Sequence, residues 1–264
     1  MLKPQPHLAV DKLQSELNYF VIGISRTDVY NKLEYTRLLN LATELQGKGG
    51  DVIKGCTHRA FLYSATGQFD QAEAMWRNLE KNNAHHNAQS VRLYHFANHG
   101  YATQALALAD QVFAHRVGDN FVTVAQLILT AGGFGTVVAK IKMSQLNQEV
   151  LVMTDTVLDL ARQGAAALAE LGTSDAQMAA MIDVAGKILR DNKLYWKEDL
   201  PDMTVLTADQ GGPALAFEYR VDVTPARAAQ LSWGLAEELV SQGLERPGVA
   251  IGFLGTRLQA RLAA

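Results

Sequence analysis

The sequence predicts a mainly α protein: an array of antiparallel helix hairpins followed by a small C-terminal α+β unit. Three observations support this. Glycines recur every 33 residues at Gly67, Gly100 and Gly133, with matching apolar and small residues around them. Across the first 190 residues, apolar positions fall mostly at three- and four-residue spacings. From Ala214 to Val223 the spacing becomes two, the period of a strand with one buried face.

Residues 8–20 read as a short amphipathic helix with Leu8, Leu13, Leu17 and Phe20 on one broad face. Val21-Ile22-Gly23-Ile24-Ser25 reads as a short strand or a tight connector. Thr27 and Asp28 are suited to cap a second helix, which runs to Gln46 and counts Val29, Leu33, Leu38, Leu39, Leu41 and Leu45 among its apolar residues. Gly47-Lys48-Gly49-Gly50 ends it. A phosphate cradle follows a strand and opens a helix, whereas this cluster follows a helix, so it reads as a turn.

The repeat begins there. Phe61, Tyr94 and Leu127 form one column, and Tyr63, Phe96 and Leu129 another. Ser64, Ala97 and Thr130 are small. Ala72, Ala105 and Val138 lie five residues after the glycines, and Met75, Leu108 and Ile141 three further on. Arg59 and Arg92 match, as do Gln71 and Gln104. Each unit is expected to be helix, turn, helix, its glycine taking the left-handed backbone that ends the first helix. Ala72 and Ala105 let the two helices approach. One hairpin cannot bury its own apolar face, so neighbours stack.

The segment from Ala60 to Trp76 resembles a tetratricopeptide unit. Its Gly67-x-Phe69-Asp70-x-Ala72 core, with Tyr63 before and Trp76 after, matches what that family uses to pack its two helices. Cys56 and Arg59 depart from the family's large aromatic and leucine, and Ala84 or its neighbours replace its helix-breaking proline. The second unit keeps Phe96, Gly100 and Ala105. The third keeps little beyond Gly133 and apolar character. The resemblance covers about residues 53–146 and implies a scaffold that binds a protein or peptide.

Residues 149–170 read as a long helix. Gly172-Thr173-Ser174-Asp175 stops it and caps another, which runs to about Arg190 and ends at Asp191-Asn192-Lys193. Leu194 to Asp202 reads as a linker, dividing a helical domain (1–196) from an α+β domain (197–264). In the latter, Thr204–Thr207 reads as a strand and Gly211-Gly212-Pro213 as a turn. Leu215, Phe217, Tyr219 and Val221 form the inner face of a second strand. Thr224-Pro225 opens a helix to Gln242 that buries Leu231, Leu235 and Leu239, with Trp233 expected to pack it on the sheet. Val249–Leu254 is a third strand, parallel to the second across the helix. A short helix from Thr256 is expected to end the chain.

Composition narrows the function classes. The chain is 48% hydrophobic and 19% charged, which excludes a disordered chain. Its 24 Lys and Arg are outweighed by 27 Asp and Glu, so bulk charge does not favour nucleic acid. The N-terminal residues lack the apolar core of a secretory signal, and Phe121–Val138 is too short and too interrupted for a membrane span. A cytoplasmic location is expected, with no membrane or nucleic-acid partner. Cys56 reads as a core residue.

Histidines are unevenly spread, with six of the seven between His58 and His115. His95 and His99 are four apart on a helix, a spacing that can ligate one metal ion, but no acid lies within 85–100 to join them. No metal or cofactor is expected. Gly132-Gly133-Phe134-Gly135-Thr136 lacks the lysine and strand of a P-loop and reads as an interhelix turn. Arg59 and Arg92 are candidate interaction residues; Tyr195 and Trp196 read as docking the two domains, with an interaction anchor as the alternative. The expected function is a non-enzymatic scaffold, its C-terminal unit serving as a second contact or a dimerisation module. The alternative is an enzyme or small-ligand protein with a site between the array and the C-terminal sheet, using His58, His95, His99 or His115.

Overall fold

In the computed structural model, residues 6–24, 26–47, 50–114, 121–143, 148–194, 201–206 and 214–256 are described. Among them are eleven helices and a three-stranded C-terminal sheet. The chain forms two compact units, residues 1–95 and 96–264. No helix among the described residues is long and apolar enough to cross a membrane.

The first unit opens with α1 (Pro6–Gly23) and α2 (Lys32–Gln46). The expected strand or connector at 21–24 is instead largely helix, because α1 continues through Gly23. Leu13, Leu17, Phe20, Val21 and Ile24 are all buried, so Val21 prolongs the helical stripe. The start of α2 also differs from expectation. Asn31 caps it, its side-chain oxygen accepting the N–H groups of Leu33 and Glu34, both at 3.1 Å. Arg26 to Val29 form a bridged turn, with Asp28 bound to Arg26 rather than capping a helix. Val29 and Leu33 are therefore 61% and 85% exposed, and Leu38 and Ala42 form the buried face.

Helix α3 (Val52–Ala65) and α4 (Phe69–Lys81) form the first hairpin. Gly67 takes φ +71°; the Gln68 N–H returns to the Tyr63 carbonyl at 2.8 Å and the Gly67 N–H to Ser64 at 3.0 Å. This double bond pattern is a Schellman stop. Asn83, at φ +57°, closes α4 in the same way, with the Ala84 N–H on Leu79 at 2.9 Å. A left-handed Asn thus ends this helix without proline. Ala72, Met75, Trp76 and Leu79 are buried.

Helix α5 (His85–Asn98) leads to α6 (Ala102–Ala114), α7 (Phe121–Thr130), α8 (Phe134–Met143), α9 (Gln148–Glu170) and α10 (Asp175–Asp191). Gly100 repeats the stop, with the Tyr101 N–H on the Phe96 carbonyl at 2.8 Å. The third turn corrects the predicted frame. Its left-handed residue is Gly132, at φ +80°, and the Gly133 N–H returns to Ile128 at 2.9 Å. The third unit is one residue short, so Ile128 and Val137 stand in the columns of Tyr63 and Ala72, and both are fully buried. Gly133 serves a separate need: a Cβ there would lie 2.5 Å from Ile128 Cγ2. Gly172 stops α9 identically, with the Thr173 N–H on Leu168 at 2.8 Å, and Ser174 and Gln177 form a capping box for α10.

Helix α10 runs across these turns. The Asp175 carboxylate accepts the N–H groups of Gly135 (3.0 Å) and Thr136 (2.7 Å) and the Thr136 hydroxyl (2.8 Å) at the start of α8. Asp183 accepts the Thr103 N–H of α6 at 3.2 Å. Arg190 donates to the carbonyls of His99 and Gly100 and lies 3.8 Å from the Tyr101 ring centroid. Acids thus meet helix N-termini and an arginine meets a helix C-terminus, each sign matching the dipole it faces.

The sheet has the order β1 (Asp202–Leu206), β2 (Ala214–Val221), β3 (Val249–Gly255). β1 is antiparallel to β2, and β2 is parallel to β3, as the helical crossover requires. Leu215, Phe217, Tyr219 and Val221 are buried, and the Tyr219 hydroxyl donates to the Thr130 carbonyl at 2.7 Å. The crossover α11 (Pro225–Ser241) is capped by Thr224 and buries Ala228, Leu231, Leu235 and Leu239. Trp233 does not pack on the sheet. It lies off that inward stripe, 70% exposed, with its indole N–H on Glu237 at 2.7 Å. Ser232 instead meets β3, its hydroxyl accepting the Phe253 N–H at 2.9 Å and donating to the Phe253 carbonyl at 3.4 Å. Gly211-Gly212-Pro213 and the helix expected from Thr256 lie outside the described residues.

Candidate functional site

The repeated arginines each tie one helix of the first unit to the helix before it. Arg92 on α5 donates to Glu80 of α4 at 2.7 Å, and its guanidinium lies 5.6 Å from the Trp76 ring centroid. Arg59 on α3 donates to Gln46 of α2 at 2.6 Å and to the Tyr63 hydroxyl at 3.1 Å, with the Tyr63 ring centroid 5.6 Å away. Each arginine reaches back to the last turn of the helix before it. Helix α2 therefore stands ahead of α3 as α4 stands ahead of α5.

The two sites differ in charge. Glu80 neutralises Arg92, whereas the hydrogen-bond acceptors of Arg59 among the described residues are a neutral amide and a phenol. The Arg59 Nε is buried and meets no acceptor there. A partly buried guanidinium without a carboxylate favours an incoming anion, since charge taken from water needs compensation.

The histidines are built into the packing. His95 is buried, its Nδ1 2.8 Å from the Ser64 hydroxyl. Its ring meets those of Phe69 at 4.9 Å and Trp76 at 5.2 Å between centroids. His58 is buried, with Nε2 2.7 Å from the Gln14 side-chain oxygen. Burial pushes its pKa down to about 4; Lys54 adds to the fall and Asp51 opposes it. His99 is also buried, and His115 lies outside the described residues. Among the described residues, no group of three His, Cys, Asp or Glu side chains is placed to hold a metal ion. Burial also raises the pKa of the Cys56 thiol, keeping it protonated at neutral pH, against a smaller opposing effect of Arg59.

In the first hairpin Tyr63 of α3 and Ala72 and Trp76 of α4 are buried, and Gly67 lies at the turn between the two helices. Phe96, Gly100, Ala105 and Gly133 lie at the second and third turns or on the helices they join, and Ala105 is fully buried. Tyr195 and Trp196 lie outside the described residues. A cleft of about 190 Å³ between α10 and α11 is lined by Val184, Lys187, Ile188, Gln230, Leu231 and Glu238 among others. That is small against the roughly 300–1,000 Å³ of ordinary ligand sites. Comparison with family models, curated proteins and solved structures finds no match.

The Gln46 and Glu80 column and the three capping residues of α10 do not stand out in the sequence alone. Gln46 and Glu80 are 34 apart, one step off the repeat, so their equivalence emerges only with the helices in place. Asp175, Asp183 and Arg190 are two helical turns apart, a spacing that solvent-exposed charges also show.

Proposed function

We propose that the protein is a non-enzymatic scaffold that binds a protein or peptide on a tetratricopeptide-like helical surface, with Arg59 receiving an acidic group of the partner. The carrying observation is the contrast between Arg92, which has Glu80, and Arg59, which has the neutral Gln46 in the same place. The tetratricopeptide reading is supported by the burial of Tyr63, Ala72 and Trp76 beside the Gly67 turn and by the recurrence of one turn geometry. A scaffold of stacked hairpins offers side chains at regular intervals, and a bidentate guanidinium on an aromatic ring suits carboxylate recognition.

The test compares partners captured by the full chain and by its Arg59→Glu variant, with Lys81→Glu as a control at an exposed site. Partner binding is expected to weaken at least about tenfold in Arg59→Glu and to persist in the control. Equal capture by both variants would remove Arg59 from the binding surface. Failure to retain any specific partner would remove the scaffold reading.

A further inference from the structure

The two edges of the C-terminal sheet differ. In a strand, the N–H and C=O of one residue point to one side and those of the next to the other. The Leu215 N–H bonds the Gly248 carbonyl at 2.7 Å, so the odd-numbered residues of β2 face β3 and the even-numbered ones face β1. Asp202, Thr204 and Leu206 lie opposite Glu218, Ala216 and Ala214 and direct their backbone groups to β2. Met203 and Val205 turn theirs outward, where they meet no backbone partner among the described residues. At the far edge the Val249 N–H bonds the Arg246 carbonyl at 3.0 Å, and Ser232 of α11 occupies both backbone groups of Phe253. Ile251, between them, is buried. Helix α11 thus closes the β3 edge, and the β1 edge is open.

We propose that the open edge of β1 is a self-association site, where β1 of a second copy of the chain adds antiparallel to make one continuous sheet. An unpaired strand edge is a template for another strand unless charge, proline or a bulge guards it. From Met203 to Leu206, β1 has none of these. The one charge of the strand, on Asp202, is held by Arg220 through two bonds of 2.9 Å.

The outward residues select the register. One antiparallel alignment engages Met203 and Val205 of both copies. In it, Met203 of each copy lies opposite Val205 of the other and exchanges both backbone hydrogen bonds with it, and Thr204 meets Thr204 on the two-fold axis. Apolar side chains then adjoin apolar ones on the half-buried inner face, and threonine adjoins threonine on the exposed outer face. The axis is normal to the sheet, so both copies keep α9 on the same side. Helix α9 packs over β1 and β2 alike. With strands about 4.8 Å apart, the two α9 helices stand about 10 Å apart, an ordinary helix-packing distance. Each chain has one open edge and pairing uses both, so association stops at two.

Sedimentation velocity of the full chain from about 1 to about 500 µM tests this, with a monomer–dimer equilibrium expected. Val205→Pro removes an outward N–H and no bond between β1 and β2. Thr204→Lys sets two ammonium groups together on the axis, at a position exposed in the single chain. Each should raise the dimer Kd about tenfold or more, and Thr204→Lys should leave thermal unfolding of the monomer unchanged. Thr204→Cys places two thiols across a non-hydrogen-bonded pair, about 4.5 Å between Cα atoms and within disulfide reach. In oxidised glutathione it should form a covalent dimer; Ala250→Cys, exposed on β3 across the sheet, should not. The native Cys56 is buried and stays out of the reaction. A monomer over the whole range would overturn the proposal and leave the edge to a strand of another protein. A dimer indifferent to both Val205→Pro and Thr204→Lys would overturn it too, as would cross-linking through Ala250→Cys as fast as through Thr204→Cys.

Discussion

Gly186 of α10 approaches Gly100 so closely that a Cβ on Gly186 would lie 2.1 Å from the Gly100 carbonyl oxygen. The obstacle is backbone, which cannot swing aside as a side chain can. Gly186→Ala should therefore destabilise the protein by about 3 kcal/mol through forced separation of α10 from the turn. Gly172→Ala provides the contrast. That glycine has φ +63° and open space around its Cβ position, so only backbone strain of about 1 kcal/mol is expected. Urea unfolding of both variants checks the order, and equal losses would show that α10 yields at Gly186.

His58 makes stability depend on pH. Its folded pKa of about 4 lies below the ordinary value of 6.5, so the unfolded chain takes up the proton first. Its contribution to stability is complete above about pH 6.5 and is lost as pH falls towards 4. The loss approaches about 3 kcal/mol over that interval. The difference in unfolding free energy between wild type and His58→Gln, measured at pH 7 and pH 5, isolates this effect from titrating carboxylates. A difference independent of pH would mean that the imidazole is accessible to protons in the folded state.

Asp175 satisfies two backbone N–H groups and a hydroxyl at the start of α8. Asp175→Ala leaves them without this acceptor and should cost about 2 kcal/mol. Hydrogen exchange should speed most at Gly135 and Thr136. Exchange unchanged at those two amides would show that the cap is redundant.

Gln46→Glu would give Arg59 the carboxylate that Arg92 already has. The variant should gain about 0.5 kcal/mol, as partly exposed ion pairs do, while partner binding falls. Thermal unfolding and the capture assay read the two effects separately. A gain in stability without loss of binding would locate the partner elsewhere.

The fold class was legible because two kinds of periodicity survive in the sequence. Gly67 and Gly100 mark turns that need a left-handed residue, and Leu215 to Val221 alternate because one face of β2 is buried. The 33-residue spacing misframes the third hairpin because Gly132 and Gly133 are adjacent and only Gly132 has positive φ. Composition cannot say which of two neighbouring glycines bends the chain and which merely makes room. The sequence leaves the start of α2 open because Thr27, Asp28 and Asn31 are all good caps; in the structure Asp28 pairs with Arg26 and Asn31 caps the helix. Size alone points Trp233 inward, whereas four smaller residues already fill that face. The Arg59 and Arg92 column was visible, but its difference in charge was not, since it depends on which helix precedes each arginine.

The bonds that α10 makes to the α5–α6 turn and to α6 span 80 to 91 residues of chain. During synthesis, α6 is complete long before Asp183 and Arg190 leave the ribosome. Until then the Gly100 turn has no clamp, and α6 lacks the acceptor for its Thr103 amide. A repeat array folds from contacts between neighbours, whereas these helices need a late, distant segment to lock an early one. Nascent chains halted before residue 175 should therefore be open to proteases at the Gly100 turn and become resistant once α10 has emerged.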